Sequence, residues 1–84
     1  MASRADLGDW VLDAVVQLGG KARIAEVAKH IWAAHKSELE MSGDLFFTWQ
    51  YDIRWAAQRL RAQGRLEQSE RLPKGVWALL GWIK

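Results

Sequence analysis

The residues most suited to chemistry lie in one stretch, TWQYDIRWAAQRLR, at positions 48–61. Arginine can donate paired hydrogen bonds to guanine, glutamine can pair in the same way with adenine, and a tyrosine hydroxyl can reach a phosphate. The side chains of these kinds are Gln50, Tyr51, Arg54, Gln58, Arg59 and Arg61. Together they predict a surface that contacts a nucleic acid. The simpler alternative is a solvated polar face, which any surface helix needs.

No other set of side chains in the sequence indicates catalysis or a bound cofactor. The chain has no cysteine, which excludes a thiol nucleophile and a thiolate metal site. His30 and His35 are five positions apart rather than the i, i+4 pair of a helical zinc site. No combination of serine, histidine and acid suggests a hydrolase. We therefore expect a protein that is not an enzyme and that needs no cofactor or metal.

Positive charge is concentrated in the second half of the chain, although the formal net charge is only +2. Residues 1–53 carry five Lys or Arg against eight Asp or Glu, a net charge of −3, whereas residues 54–74 carry six basic residues against two acidic ones, a net +4. Such asymmetry suggests a polyanionic partner for the basic half. Because the sequence shows no signal peptide and no apolar run of membrane-spanning length, we expect a cytoplasmic protein with no membrane partner.

Hydrophobic spacing predicts two helices in the first half of the chain. The first begins near Asp6 or Asp9 and ends at Gly19–Gly20, because glycine accepts the left-handed conformation that closes a helix. The second begins at about Ile24 and ends near 40–42. Their apolar faces contain Val11, Ala14, Val15 and Leu18 in the first helix, and Val27, Ala28, Ile31, His35 and Leu39 in the second.

A third helix is predicted over about 48–63, with Asp44 or Thr48 as its cap and Gly64 at its end. At 100° per residue its apolar side chains fall in one stripe about 100° wide. That stripe contains Trp49, Ile53, Ala56, Ala57 and Leu60. Tyr51 and Trp55 lie outside it. We expect Trp55 to pack against the second helix, the C-terminal strands or another subunit, since a large exposed indole is costly.

Two short strands are predicted after the third helix, at 65–68 and 76–80, joined by SERLPKG. By two-residue alternation, Leu66, Trp77 and Leu79 can point toward the helices. The predicted architecture is thus a mainly α-helical α+β domain over residues 1–84, with its core at about 7–80.

The order of these elements, with a short extended segment at 21–23, is that of a winged helix-turn-helix domain. In that arrangement the third helix lies in the major groove of double-stranded DNA and the hairpin 65–80 forms the wing. Arg71 and Lys74 at the hairpin tip would contact phosphates or enter the minor groove, against the repulsion of Glu67 and Glu70.

Several short motifs resemble a known family in their order and spacing. They are Leu18-Gly19-Gly20-Lys21-Ala22, Glu26-Val27, Arg54-Trp55-Ala56, Leu60-Arg61-Ala62-Gln63-Gly64 and Gly75-Val76-Trp77-Ala78-Leu79. Over about residues 7–80 the chain resembles the winged-helix domain at the N-terminus of Mrr-type restriction endonucleases, which also occurs alone in bacterial proteins. The resemblance implies binding of double-stranded DNA through the third helix, without the nuclease domain. One departure is the acidic segment 36–47, which is longer than the three- or four-residue turn of a compact helix-turn-helix.

A second hypothesis is a winged helix that acts through protein contacts, either as a homodimer or by docking on a larger partner. Its motive is a surplus of tryptophan for so small a core, at Trp10, Trp32, Trp55 and Trp82. It also accounts for the acidic first half of the chain. A winged helix can serve either role, so the fold alone does not decide between DNA and protein partners.

Overall fold

The computed structural model describes residues 2–81, which form three α-helices and one small antiparallel sheet. The elements are α1 (Asp6–Gln17), β1 (Lys21–Arg23), α2 (Ile24–Glu40), α3 (Leu45–Ala62) and β2 (Val76–Ala78), with a 3₁₀ turn at Ser69–Arg71. The predicted mainly α-helical α+β class is therefore confirmed. Within residues 2–81 no helix combines the length and the apolar character needed to cross a membrane.

The buried face of α3 is the centre of the core. All five side chains of its predicted stripe are buried, and the bulkiest, Trp49, is only 5% exposed. This face packs more extensively on α1 than on α2. The partners are Leu7, Val11, Ala14 and Val15 of α1 and Val27, Ile31 and Leu39 of α2. The spacing thus predicted the rotation of α3 correctly.

The ends of α1 differ in part from the prediction. Asp6 is its first residue rather than its cap, and its carboxylate accepts a hydrogen bond from the Ser3 N–H at 2.8 Å. Gly19 and Gly20 have φ angles of 98° and 95°, and their N–H groups bond the carbonyls of Val16 and Val15, which closes the helix. Leu18, predicted on the apolar face, is 38% exposed because it follows the last helical residue.

The connection between α2 and α3 is much shorter than the acidic segment 36–47 suggested. α2 continues to Glu40 and α3 begins at Leu45, three residues before the predicted start, so that only residues 41–44 lie between them. Neither Asp44 nor Thr48 caps α3, since the Asp44 side chain makes no cap bond and Thr48 lies inside the helix. The expected long connection is therefore wrong. The observed turn has the length of a helix-turn-helix connection.

The predicted hairpin is only partly present. β2 pairs mainly with β1, in the register Lys21↔Ala78, Ala22↔Trp77 and Arg23↔Val76. The predicted strand at 65–68 contributes one bridge, Leu66↔Leu79, on the other side of β2. Pairing ends there because the chain enters the 3₁₀ turn and then reaches Pro73, which has no N–H to donate.

The C-terminal segment, which we define as residues 65–81, is held against the helices by its apolar side chains. Leu66 and Trp77 are buried and Leu79 is partly buried, as the alternation predicted. The Arg65 N–H bonds the Leu60 carbonyl at 2.9 Å, where Gly64, with φ 74°, reverses the chain after α3. The position of this segment is thereby tied to the end of α3.

Replacing Ile53 or Leu60 by alanine should lower the free energy of unfolding by about 2–5 kcal/mol, because each substitution leaves a cavity under α3. Urea denaturation followed by circular dichroism measures the change. Gln58→Ala is the matched control on the exposed side of the same helix and should change stability by less than about 0.5 kcal/mol. If all three variants were equally stable, Ile53 and Leu60 would not face the core and the rotation of α3 would be incorrect.

Candidate nucleic-acid interface

The side of α3 opposite the core carries a continuous row of exposed side chains, which we call the outer face. Its members are Phe47, Tyr51, Arg54, Gln58 and Arg61, spaced by three or four residues so that they lie above one another. Phe47 and Tyr51 are 81% and 76% exposed, Arg54 and Gln58 are exposed, and Arg61 is half-buried. The row is aromatic in the first half of the helix and basic in the second.

Beside the outer face lies a groove that we call the basic groove. Its polar lining comes from Arg4, Tyr51, Arg54, Gln58, Arg61 and Ser69, and its apolar lining from Ile24, Trp55 and Trp77. The groove has a volume of about 420 Å³, and none of these nine lining residues is acidic. Four of the predicted contact residues, all from α3, are thus brought together around one depression with a uniformly basic and neutral lining.

The basic groove continues along the C-terminal segment. An adjoining depression shares four lining residues with it, among them Arg61, and extends to Glu70, Pro73 and Lys74. Lys74 is exposed and makes no ion pair with another side chain of residues 2–81. A cation from the turn before β2 therefore lies at the far end of the surface that starts at α3.

The other predicted residues of α3 lie apart from the basic groove. Gln50 borders a separate depression between α2 and α3, together with Lys29, Trp32 and Phe46. Arg59 lines a third depression between α1 and α3, which also contains Asp9. Of the six residues predicted as contacts within 48–61, the structure therefore brings four together around the basic groove and places the other two, Gln50 and Arg59, elsewhere.

Trp55 is held between two guanidinium groups. The Cζ atom of Arg4 lies 3.8 Å from the centre of its ring, and the Cζ atom of Arg59 lies 5.1 Å from it. Arg4 is held further by Asp52, with 3.7 Å between Arg4 Nε and the carboxylate. The indole stacks on these cations, a partner that the sequence interpretation did not include. The contact with Arg4 was not predictable from spacing, because it joins the segment before α1 to the middle of α3.

Glu67 is a buried carboxylate in the C-terminal segment, 3% exposed. It accepts hydrogen bonds from the N–H groups of Gln68 and Gly81, at 3.2 and 3.4 Å, and its Oε1 lies 3.5 Å from Nη1 of Arg71. A buried charge needs such partners, because its desolvation is otherwise costly. The Arg71 charge is thus partly balanced by Glu67, which makes Lys74 the more available cation of this segment.

The chemistry available at the basic groove is hydrogen-bond donation to an anion. Arg4, Arg54 and Arg61 offer guanidinium donors, and the Gln58 amide can both donate and accept.

Within residues 2–81 no three acidic or histidine side chains form a group that could hold a metal ion. No protein-family model matches the chain, and no curated protein or solved structure is significantly similar to it.

Replacing Glu67 by alanine should lower the free energy of unfolding by about 1–3 kcal/mol, because its buried carboxylate accepts two part-buried backbone hydrogen bonds and pairs with Arg71. Thermal and urea denaturation measure the change. Glu70→Ala removes the same charge from an exposed position three residues later and should leave stability almost unchanged. Equal effects from the two substitutions would contradict a structural role for the buried carboxylate.

Proposed function

We propose that the chain is a winged helix-turn-helix domain that binds double-stranded DNA, with α3 in the major groove and the C-terminal segment as the wing. The four-residue turn between α2 and α3 supports this, since a long connection would have departed from the winged-helix pattern. The paired β1 and β2, with the bridge to Leu66, supply the small sheet that such a domain carries beside its helices. We also propose that the domain is of the kind found at the N-terminus of Mrr-type endonucleases and that the protein is cytoplasmic.

The observation that carries the proposal is the basic groove beside an exposed helix face. A helix with side chains is about 10–12 Å across, and the major groove of B-DNA is about 12 Å wide. The outer face presents guanidinium, amide and hydroxyl groups on one side of such a helix. No acidic residue belongs to the basic groove's lining. A polyanion approaching the basic groove would meet Asp52 already paired with Arg4, and would meet the exposed carboxylate of Glu70 only beside Lys74.

The positions of the side chains suggest a division of roles. Arg54 and Gln58, one helical turn apart on the outer face, would reach base edges, where arginine favours guanine and glutamine favours adenine. Arg4 and Lys74, at opposite ends of the basic groove and its continuation, would contact phosphates on either side. Arg61 lies between the two depressions and could serve either purpose.

A second candidate function, binding of another protein or a second copy of the chain, is favoured by one specific observation. The depression between α2 and α3 is largely apolar, with Ala28, Trp32, Phe46 and Trp49 in its lining. Of the four tryptophans that motivated this hypothesis, Trp82 lies outside the described residues. Sedimentation velocity over a range of concentrations separates the two functions, because self-association without DNA binding favours the second and a strict monomer that binds DNA favours the first.

Binding to a mixed-sequence duplex should weaken steeply with salt. If four to six phosphates are neutralised, the slope of log K against log salt should be about −4 to −5.

Arg54→Ala should cost about 1–3 kcal/mol of binding free energy without changing the melting temperature, because its side chain is exposed on the outer face. Arg59→Ala makes the same charge change on the other side of Trp55 and should cost less.

Fluorescence anisotropy with a labelled duplex measures both effects. Absence of binding at low salt would remove the proposed function. A larger loss with Arg59→Ala than with Arg54→Ala would instead leave DNA binding in place and assign it to a different side of α3.

The contribution of the wing can be measured separately. Lys74→Ala should reduce the magnitude of the salt slope by about 0.9, the value for one lost phosphate contact on duplex DNA. Lys29→Ala is the matched control, because it removes the same charge from α2, outside the basic groove. Titrations at several salt concentrations test this. If both variants changed the slope equally, net charge rather than a wing contact would explain the effect.

A further inference from the structure

We propose that Phe47, supported by Tyr51, contacts the 5-methyl group of thymine, so that the domain prefers duplexes with thymine under the first half of α3. This inference rests on the proposed function, because it assigns a base preference to the same outer face. It concerns the aromatic half of that face, where Phe47 has no group that could bind a phosphate.

The two aromatic rings of the outer face are unusually exposed. Phe47 and Tyr51 are more exposed than any other large hydrophobic side chain of residues 2–81. They lie one helical turn apart, about 6 Å along the axis, in the same row as Arg54 and Gln58. A partner that covers the row must therefore offer polar groups to its second half and an apolar group to its first half.

The Phe47 ring contacts one aromatic neighbour on its own helix. It packs edge-on against Phe46, with 5.1 Å between ring centres, and Phe46 lies 6.3 Å from Trp32. Trp32 in turn stacks on the buried Trp49 at 6.0 Å. The exposed ring is thus the outer end of a row of aromatic side chains that begins in the core.

The major groove offers these rings an apolar partner. The thymine methyl is the apolar group that base edges present there, and phenylalanine is one of the side chains that contact it. Phe47 has no hydrogen-bonding atom, so it can contribute to base selection only by such an apolar contact. The 6 Å between Phe47 and Tyr51 is a little less than two base-pair steps of about 3.4 Å. Along the DNA axis, the two rings would therefore lie near base pairs about two steps apart.

The test removes the methyl group and nothing else from the base. An alternating A–T duplex about two helical turns long is compared with the same duplex carrying deoxyuridine in place of every thymidine. The wild-type domain should bind the thymidine duplex at least about fourfold more tightly, the value of one buried methyl. Phe47→Ala should lose this preference. Phe47→Leu should keep part of it, because leucine still offers an apolar contact.

Two controls separate the thymine contact from a general loss of apolar surface and from misfolding. Val16→Ala trims an exposed apolar side chain of α1 and should leave the preference unchanged, and melting curves check that all variants are folded. Comparing wild type and Phe47→Ala on both duplexes cancels any difference in shape between them.

Each remaining outcome is decisive. Equal binding of the two duplexes by wild type, or a preference that survives Phe47→Ala, overturns the inference while DNA binding stands. Binding of neither duplex overturns the proposed function and this inference with it. If Phe47→Ala abolishes self-association of the wild type in sedimentation velocity, the ring belongs to a protein interface and the thymine contact is rejected.

Discussion

The rotation of α3 about its own axis is the constraint on which the rest of the structure depends. Trp49, Ile53 and Leu60 are buried against α1 and α2, and this fixes which side chains point the opposite way. A rotation by one residue, 100°, would move arginine or glutamine side chains toward the apolar core, where an unpaired polar or charged group is costly. The outer face is therefore a consequence of core packing. Burial of one side of α3 thus determines which side chains the opposite side could present to a base.

The end of α3 also determines where the C-terminal segment lies. Gly64 reverses the chain so that Leu66 returns under the helix and bridges to Leu79 beside β2. Trp77, on β2, is buried and also lines the basic groove. One wall of the groove is thus part of the core. Its width follows from helix closure and apolar packing rather than from contacts among the polar residues that line it.

The parts of this structure that follow from local periodicity were predictable from the sequence. The buried stripe of α3 and the glycines after α1 and α3 follow from spacing and from backbone conformation, and the structure agrees with them. The start of α3 did not follow, because the helix begins at Leu45 without a side-chain cap bond and its first residues therefore resemble a loop in sequence. The pairing of β1 with β2 was also missed. It joins residues more than fifty positions apart, and nothing in three-residue strands specifies a distant partner.

The candidate site likewise contains some residues whose placement follows from local spacing and others whose placement depends on distant contacts. Tyr51, Arg54, Gln58 and Arg61 lie on the side of α3 away from the core, as spacing predicted. Spacing also placed Gln50 with them, and the structure sets Gln50 apart in the depression beside α2. Arg4 and the buried Glu67 depend on tertiary contacts, and the sequence interpretation treated Glu67 as a charge that opposes a polyanion. Buried and paired with Arg71, it instead weakens the field of a cation predicted to contact phosphate.

Basic and acidic side chains are more clearly separated on the surface of the folded chain than they are along the sequence. Arg59 shares a depression with Asp9 of α1, whereas no acidic residue lines the basic groove that holds Arg54 and Arg61. Opposite charges close together cancel at a distance, so Arg59 beside Asp9, and likewise Arg4 paired with Asp52, contribute less to the distant field than Arg54 and Arg61 do. An approaching polyanion would accordingly be drawn to the side with Arg54 and Arg61 before any specific contact forms. Under the proposed function, the acidic side chains of α1 would contribute to orientation, because they lower the potential on the side of Arg59.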